Sequence, residues 1–201
     1  MIKDTKRFEL LNSERLLFRR PKVEDANAIF SSYPTQKDVT KYLLFPPRSC
    51  IEDALKFIEW SDEQWEKKRG FHFILILCSK TDGERVIGSV GLSLEGLDDG
   101  NEDTARVEYY IEKDQMGKGY ATEACKKMIE LTAEVGITKL VASAHPNNLA
   151  SIRVLEKCGF QEDATACQML VSTIGKEQQS LVGFGRSVSL SDPPPTLTWE
   201  D

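Results

Sequence analysis

Two glycines separated by one lysine, Gly117-Lys118-Gly119, stand directly before a helical pattern, and they are the residues of this chain best suited to bind an anion. Glycine reaches backbone conformations closed to other residues and leaves no side chain between the main chain and a ligand. The first turn of a helix offers free N–H groups and the positive end of the helix dipole. A glycine turn running into it therefore suits a phosphate or pyrophosphate. Lys118 adds a flexible positive charge. Strand, glycine turn and helix also serve plain packing, so this stretch alone leaves both readings open.

The elements that position the loop are written in periodicity. Upstream, Val107, Tyr109 and Ile111 alternate with Glu108, Tyr110 and Glu112, the period of a strand with two different faces. Downstream, Ala121, Ala124, Cys125, Met128, Thr132 and Val135 make one helical stripe, stopped by Gly136. A second stretch, 145–160, reads as a strand end, a helix capped by Asn148, and a stop at Gly159 with Phe160 folding back onto Leu155. A strand over 138–144 lies between the two helices, and the order strand, helix, strand implies a parallel pair with a right-handed crossover.

Taken together, Met116-Gly-Lys-Gly-Tyr-Ala-Thr-Glu-Ala124 and Asn148-Leu-Ala-Ser-Ile-Arg-Val-Leu-Glu-Lys-Cys-Gly-Phe160 resemble the GNAT superfamily of acetyl-CoA-dependent N-acetyltransferases. Within it they look most like the ribosomal-protein N-terminal alanine acetyltransferases. The resemblance covers roughly residues 15 to 170 and implies an α/β fold, a central mixed, mostly antiparallel sheet with helices on both faces. It also implies a cosubstrate, acetyl-CoA, and no metal. In the family the strands matching 104–112 and 138–144 splay apart, and the pantetheine arm pairs with main chain matching Tyr109, Tyr110 and Ile111. The pyrophosphate then falls to Gly117, Lys118, Gly119, Tyr120, Ala121 and Thr122, with Asn148 as a further cofactor contact or simply the helix N-cap. Met116 departs from the family's usual Gln or Arg, which matters little where the contacts are main-chain N–H groups.

Acetyl transfer to an amine needs a neutral amine, a thioester carbonyl in reach, and a proton for the departing thiolate. An α-amine, with a reference pKa of about 8 against about 10.4 for lysine, is the easier to neutralise. Glu108, on the cofactor strand just before the loop, is the candidate base; Arg106 shares its face, so a plain ion pair is the competing role. Many relatives carry a tyrosine where this chain has Leu155. The alanine-acetyltransferase branch places a serine at the position of Ser151, which makes Ser151 the candidate proton donor, with help in capping the helix as its alternative. His72 and His145 read as structural.

Composition sets the frame. The chain has 201 residues, 40% hydrophobic and 29% charged, which is ordinary for a soluble globular protein with one core. The longest apolar run, Phe73 to Cys78, is far too short to span a membrane. Five scattered cysteines without a C-x-x-C pair argue against a metal site and for a reducing, cytoplasmic setting. A net charge of −6 disfavours nucleic-acid binding and mildly suits a cationic amine. The expected organisation is a lead-in over 1–14 (1–12 loose), a single domain over 15–190, and a Pro-rich polar tail over 191–201, as a monomer or homodimer.

Before the loop, a strand at 16–20 and helices over about 24–33 and 51–69 are expected, the second with Ala54, Leu55, Ile58 and Trp65 near one face and Gly70 as its stop. By resemblance these helices wall the acceptor cleft, so Phe45, Trp60 and Trp65 are either substrate-side or core. Two strands over 71–79 and 86–94 flank an Asp82-Gly83 turn, an acidic loop fills 95–103, and a last hairpin is expected over 161–187. The function the resemblance implies is N-acetylation of a primary amine, a protein or peptide N-terminus by its likeness to the alanine-acetyltransferase branch. A small-molecule acetyltransferase acting on a polyamine, antibiotic or amino acid is the first alternative, and a non-catalytic acetyl-CoA sensor the second. A P-loop is not present, because the Gly-Lys-Ser/Thr ending is missing.

Overall fold

The computed structural model describes residues 6–32, 42, 48–79, 83–94, 103–164, 166 and 181–189. Phe45, Asp82, Cys167, the acidic loop up to residue 102 and the Pro-rich tail lie outside them. An eight-stranded sheet runs in the order β1-β2-β3-β4-β5-β6-β8-β7. Its strands are β1 (Leu10–Asn12), β2 (Leu16–Arg19), β3 (Gly70–Ser79), β4 (Gly83–Ser93), β5 (Thr104–Ile111), β6 (Lys139–Ala144), β7 (Gln161–Glu162) and β8 (Val182–Ser187). Every neighbouring pair is antiparallel except β5 and β6, so the sheet is mixed and mostly antiparallel, as expected.

Four α-helices are present among the described residues: α1 (Ala26–Ser32), α2 (Ile51–Lys67), α3 (Tyr120–Glu134) and α4 (Leu149–Lys157). Alternation along the strands divides them between the two faces. Ile74 and Ile76 of β3 pack with Ala26, Ile29, Ala54 and Ile58 of α1 and α2. Phe73 and Leu75, pointing the other way, join Cys125, Met128, Ile129 and Leu155 of α3 and α4 in the larger core.

Several expectations need correction. The lead-in is not loose over its described part: Lys6–Phe8 forms one turn of 3-10 helix, and β1 pairs with β2. Phe8 is the reason, since it is 2% exposed and meets the Phe71 ring edge-on at 6.4 Å. A three-residue strand is too short to display a period. Helix α2 ends at Lys68, which takes the left-handed conformation itself (φ 56°), while Gly70 opens β3. Leu55 is exposed rather than part of the buried stripe. Trp65 is core, stacked edge-on against Phe71 and Phe73 and donating its indole N–H to the His72 carbonyl at 3.0 Å. The Gly136 and Gly159 stops stand as expected, at φ 83° and 79°. Phe160 N–H to Leu155 C=O and Gly159 N–H to Glu156 C=O complete the two-bond close of α4.

Candidate functional site

The parallel ladder between β5 and β6 is short. It pairs Thr104 with Lys139, Ala105 with Leu140 and Arg106 with Val141, and then stops, although β5 runs on to Ile111 and β6 to Ala144. Val107 to Ile111 keep β4 on one side and, among the described residues, have no strand on the other. Main-chain groups along such an edge can pair with an extended ligand as they would with another strand. Tyr109, Tyr110 and Ile111, expected to contact the pantetheine arm, lie on this edge.

At the end of the edge the chain turns through the 3-10 turn Lys113–Gln115 into the glycine loop. Gly117 and Gly119 both have positive φ, 77° and 88°, and Gly119 caps α3. The first helical bond is Glu123 N–H to the Gly119 carbonyl (3.0 Å), so Tyr120, Ala121 and Thr122 hold the unclaimed N–H groups of the first turn. Lys118 reaches back to the Gln115 side chain (2.9 Å).

A clamp that sequence reasoning missed fixes this loop. Glu123 accepts from the Ser13 hydroxyl (2.7 Å), the Arg15 N–H (2.8 Å) and the Arg15 Nε (2.8 Å), and pairs with Arg15 Nη2 at 2.7 Å. Arg15 also donates to the Lys118 carbonyl (2.9 Å) and lies over the Tyr120 ring at 4.6 Å. The glutamate in Ala-Thr-Glu-Ala sits in the first turn of α3, where a carboxylate suits the dipole; nothing local points to a partner a hundred residues away. From the other side, the Cys158 thiol donates to the Thr122 carbonyl at 3.6 Å, tying α4 to the same turn.

Asn148 is the N-cap of α4, its side chain accepting from the Ser151 N–H at 3.3 Å. Ser151 thus joins the cap through its main chain, while its hydroxyl meets the Tyr109 phenol at 2.9 Å. Burial pushes the Tyr109 phenol above its ordinary range, partly countered by this bond, so the pair is a neutral hydrogen-bonded relay at pH 7. The Tyr109 side chain was not singled out from sequence, yet the alternation that puts Glu108 on one face puts Tyr109 on the other. Tyr110, back on the first face, donates to the Ser32 carbonyl of α1 at 2.7 Å.

On the α1–α2 face lies a cavity of about 600 Å³ whose walls include Phe57, Trp60, His72, Val90, Arg106 and Glu108. Trp60 is therefore on the cavity side while Trp65 is not. Glu108 stands in a row across three strands, since β3–β4 pairing sets His72 opposite Gly91 and β4–β5 pairing sets Gly91 opposite Glu108. The His72 imidazole lies over Gly91, so close that a Cβ there would fall 2.2 Å from Nδ1. Nδ1 is 3.7 Å from Glu108 Oε1, and the Trp60 ring covers the imidazole at 4.3 Å. Burial pulls the His72 pKa down to about 4, against the smaller upward pull of Glu108, so it is neutral at pH 7. His72 is buried, as a structural residue would be, and it also walls the cavity beside the candidate base. His145 accepts from the Asn147 N–H (3.1 Å) and stacks on Tyr42, a structural place.

Arg106 Nε and Glu108 Oε2 are 3.7 Å apart, a loose ion pair outside hydrogen-bond reach. Glu108 thus keeps its oxygens open to the cavity. The site has three parts: a donor-rich helix start, an open strand edge, and a carboxylate and a hydroxyl relay on opposite faces of that edge.

Residues 15–161 match the family profile of an acetyltransferase (GNAT) domain. The uncharacterized N-acetyltransferase p20 of Bacillus licheniformis is 28% identical over 156 residues, 77% of this chain and 84% of that protein. Among solved structures, the ribosomal alpha-N-protein acetyltransferase RimL in complex with coenzyme A superposes with a TM-score of 0.71 at 15% identity, covering 90% of this chain and 99% of that one. The spermidine N-acetyltransferase of Vibrio cholerae, solved with coenzyme A and spermine, gives 0.66 at 16%, covering 87% and 96%.

Proposed function

The chain belongs to the GNAT acetyltransferase family and is an acetyl-transfer enzyme; on that premise we propose that it acetylates an α-amine, the N-terminal amine of a protein or peptide. The observation that carries the reading is the open edge of β5 beyond Arg106, leading directly into the unclaimed N–H groups of α3. Donors at the helix start suit the pyrophosphate of acetyl-CoA, and the free main chain of 107–111 suits its amide-bearing arm. Acetyl-CoA supplies the activated acyl group as a thioester.

Glu108 accepts the proton of the incoming ammonium, directly or through a water in the cavity, so that the neutral amine attacks the acyl carbonyl. Ser151, backed by the Tyr109 phenol, donates a proton to the departing thiolate. These two groups come from opposite faces of one strand edge, so the proton leaving the amine and the proton reaching the thiolate are handled by separate groups. The α-amine is favoured because it costs about 2 pKa units less to neutralise than a lysine. The likeness to RimL supports a peptide acceptor, and the likeness to spermidine N-acetyltransferase is what favours a small amine instead.

Calorimetric titration with acetyl-CoA and ATP, for the wild type and for Gly119→Glu, tests the cofactor half. A glutamate there sets negative charge against the phosphates, so binding of acetyl-CoA alone, lost in the variant, is expected. Release of free thiol with N-terminal peptides and with polyamines tests the acceptor half. Faster turnover of polyamines than of any peptide would overturn the N-terminal reading. A folded protein that binds acetyl-CoA but acetylates no amine would be a sensor.

A further inference from the structure

Arg106 lines the cavity with a side chain that is only 18% exposed, its Nε is fully buried, and its guanidinium donates no hydrogen bond to any described residue. Glu108 is 3.7 Å from Nε, too far for a hydrogen bond. A guanidinium carries five N–H donors, and a buried donor left without an acceptor, as Nε is here, is costly enough that native proteins avoid it. The other charges in the cavity are provided for: Asp53 accepts from Ser49 and pairs with Lys56, and Arg48 lies over the Phe57 ring at 4.5 Å.

Among the described residues, Arg48, Lys56 and Arg106 against Asp53 and Glu108 also leave the cavity walls with one more positive charge than negative. A second ammonium on the acceptor would meet like charge there, whereas an oxygen would meet the unused donors. Arg106 and Glu108 are two residues apart on one strand face, so a ligand amine at Glu108 places its neighbouring atoms at Arg106.

We infer that Arg106 is a specificity residue which recognises an oxygen next to the reacting amine, the carboxylate or carbonyl of an α-amino acyl unit, and thereby selects amino acids or peptide N-termini over simple amines and polyamines. This rests on the reading of the chain as an amine acetyltransferase with Glu108 at the acceptor amine. A free amino acid offers a carboxylate and a peptide a carbonyl, and both are planar oxygen acceptors matched to the guanidinium fork.

The test compares wild type, Arg106→Gln and Arg106→Lys with acetyl-CoA and alanine, alaninamide, an alanine-initiated tetrapeptide, and ethylamine, which is alanine without its carboxylate. The readout is the loss in kcat/KM caused by the substitution for each acyl-bearing amine, divided by the loss for ethylamine. The different basicities of the amines and any disturbance of Glu108 cancel in that ratio. A ratio of about 10 or more is expected, with partial recovery in Arg106→Lys. A larger ratio for alanine assigns the carboxylate, and a larger one for alaninamide and the tetrapeptide assigns the carbonyl. A ratio near 1 overturns the inference while leaving acetyl transfer intact. Absence of turnover with every amine overturns the enzymatic reading instead; calorimetric affinities of alaninamide and ethylamine for the acetyl-CoA-bound protein then form the same ratio. Should Arg106→Gln not fold, Arg106→Lys, which keeps stem and charge but loses the planar fork, gives a smaller ratio that must still exceed 1.

Discussion

Replacing Gly91 by alanine perturbs one contact and little else. The added Cβ would stand 2.2 Å from His72 Nδ1, 2.9 Å from Cε1 and 3.2 Å from Cγ, where ordinary contact begins at 3.4 Å. The imidazole is itself enclosed by the Trp60 ring and the sheet, so it has no small adjustment available and must leave its place. Overpacking of this kind costs about 1–3 kcal/mol, and alanine in place of glycine within a strand returns about 0.5–1 kcal/mol. A net loss of about 1–2 kcal/mol is therefore expected in urea unfolding. Once displaced into water, His72 should titrate near its ordinary value of about 6.5 rather than about 4. The chain has only two histidines, so an NMR titration of ring protons reads this directly. In a His72→Ala background the obstacle is gone, and Gly91→Ala should then cost nothing or stabilise. Gly88 supplies the contrast: its Cβ would meet the Tyr110 main-chain oxygen at 2.1 Å, which no side-chain deletion relieves. Equal costs of Gly91→Ala in both backgrounds, or a His72 that still titrates near 4 in Gly91→Ala, would refute the reasoning.

Two further outcomes follow from the same region. Because the fold holds His72 neutral and lowers its pKa, the unfolded chain binds the proton better: its contribution is complete above about pH 6.5 and is lost as pH falls to about 4, by up to about 3 kcal/mol. Unfolding free energies measured from pH 7 to 4 should fall more steeply for wild type than for His72→Gln, and parallel curves would contradict the burial argument. Ser151→Ala should lower kcat by about a hundredfold while leaving stability almost unchanged, since Asn148 caps α4 through the Ser151 main chain. Asn148→Ala should instead cost about 1 kcal/mol of stability, and the reverse pattern in thermal melts and turnover would return Ser151 to a structural role.

Much of this was legible in the sequence for a local reason. The β5–loop–α3 unit and both ends of α4 are specified by residues within a few positions of one another: the alternation of 107–112, the glycines at 117, 119 and 159, and the Asn148 cap. What could not be read is register. His72, Gly91 and Glu108 become neighbours only because three strands pair at one particular offset, and a shift of one residue would have turned His72 to the opposite face. The Arg15–Glu123 clamp has the same character, joining the β1–β2 turn to a helix start over a long stretch of chain. Alternation did contain the Tyr109–Ser151 contact in part, since it separates Tyr109 from Glu108, but not the placing of α4 against that face.

The end of the β5–β6 ladder is the step that turns this packing into chemistry. Among the described residues, Thr104 and Ala105 pair with β6, Val107 to Ile111 pair with β4, and Arg106 alone pairs with both. Had the ladder continued, β6 would occupy the edge, and Glu108 and Tyr109 would be separated from any shared ligand by a strand. Divergence instead leaves a slot, with the two side chains projecting to opposite faces of the strand that borders it. An acyl group held along that edge is approachable by a base from the α1–α2 side and by a proton donor from the α4 side, without either group crossing the sheet. Arg106 stands at the fork itself, the last residue of the parallel ladder, with its side chain in the cavity and its buried Nε without an acceptor among the described residues. The place where the sheet stops satisfying its own backbone is thus also where the unspent side-chain donors lie, and one ligand lying in the slot and reaching into the cavity would satisfy both.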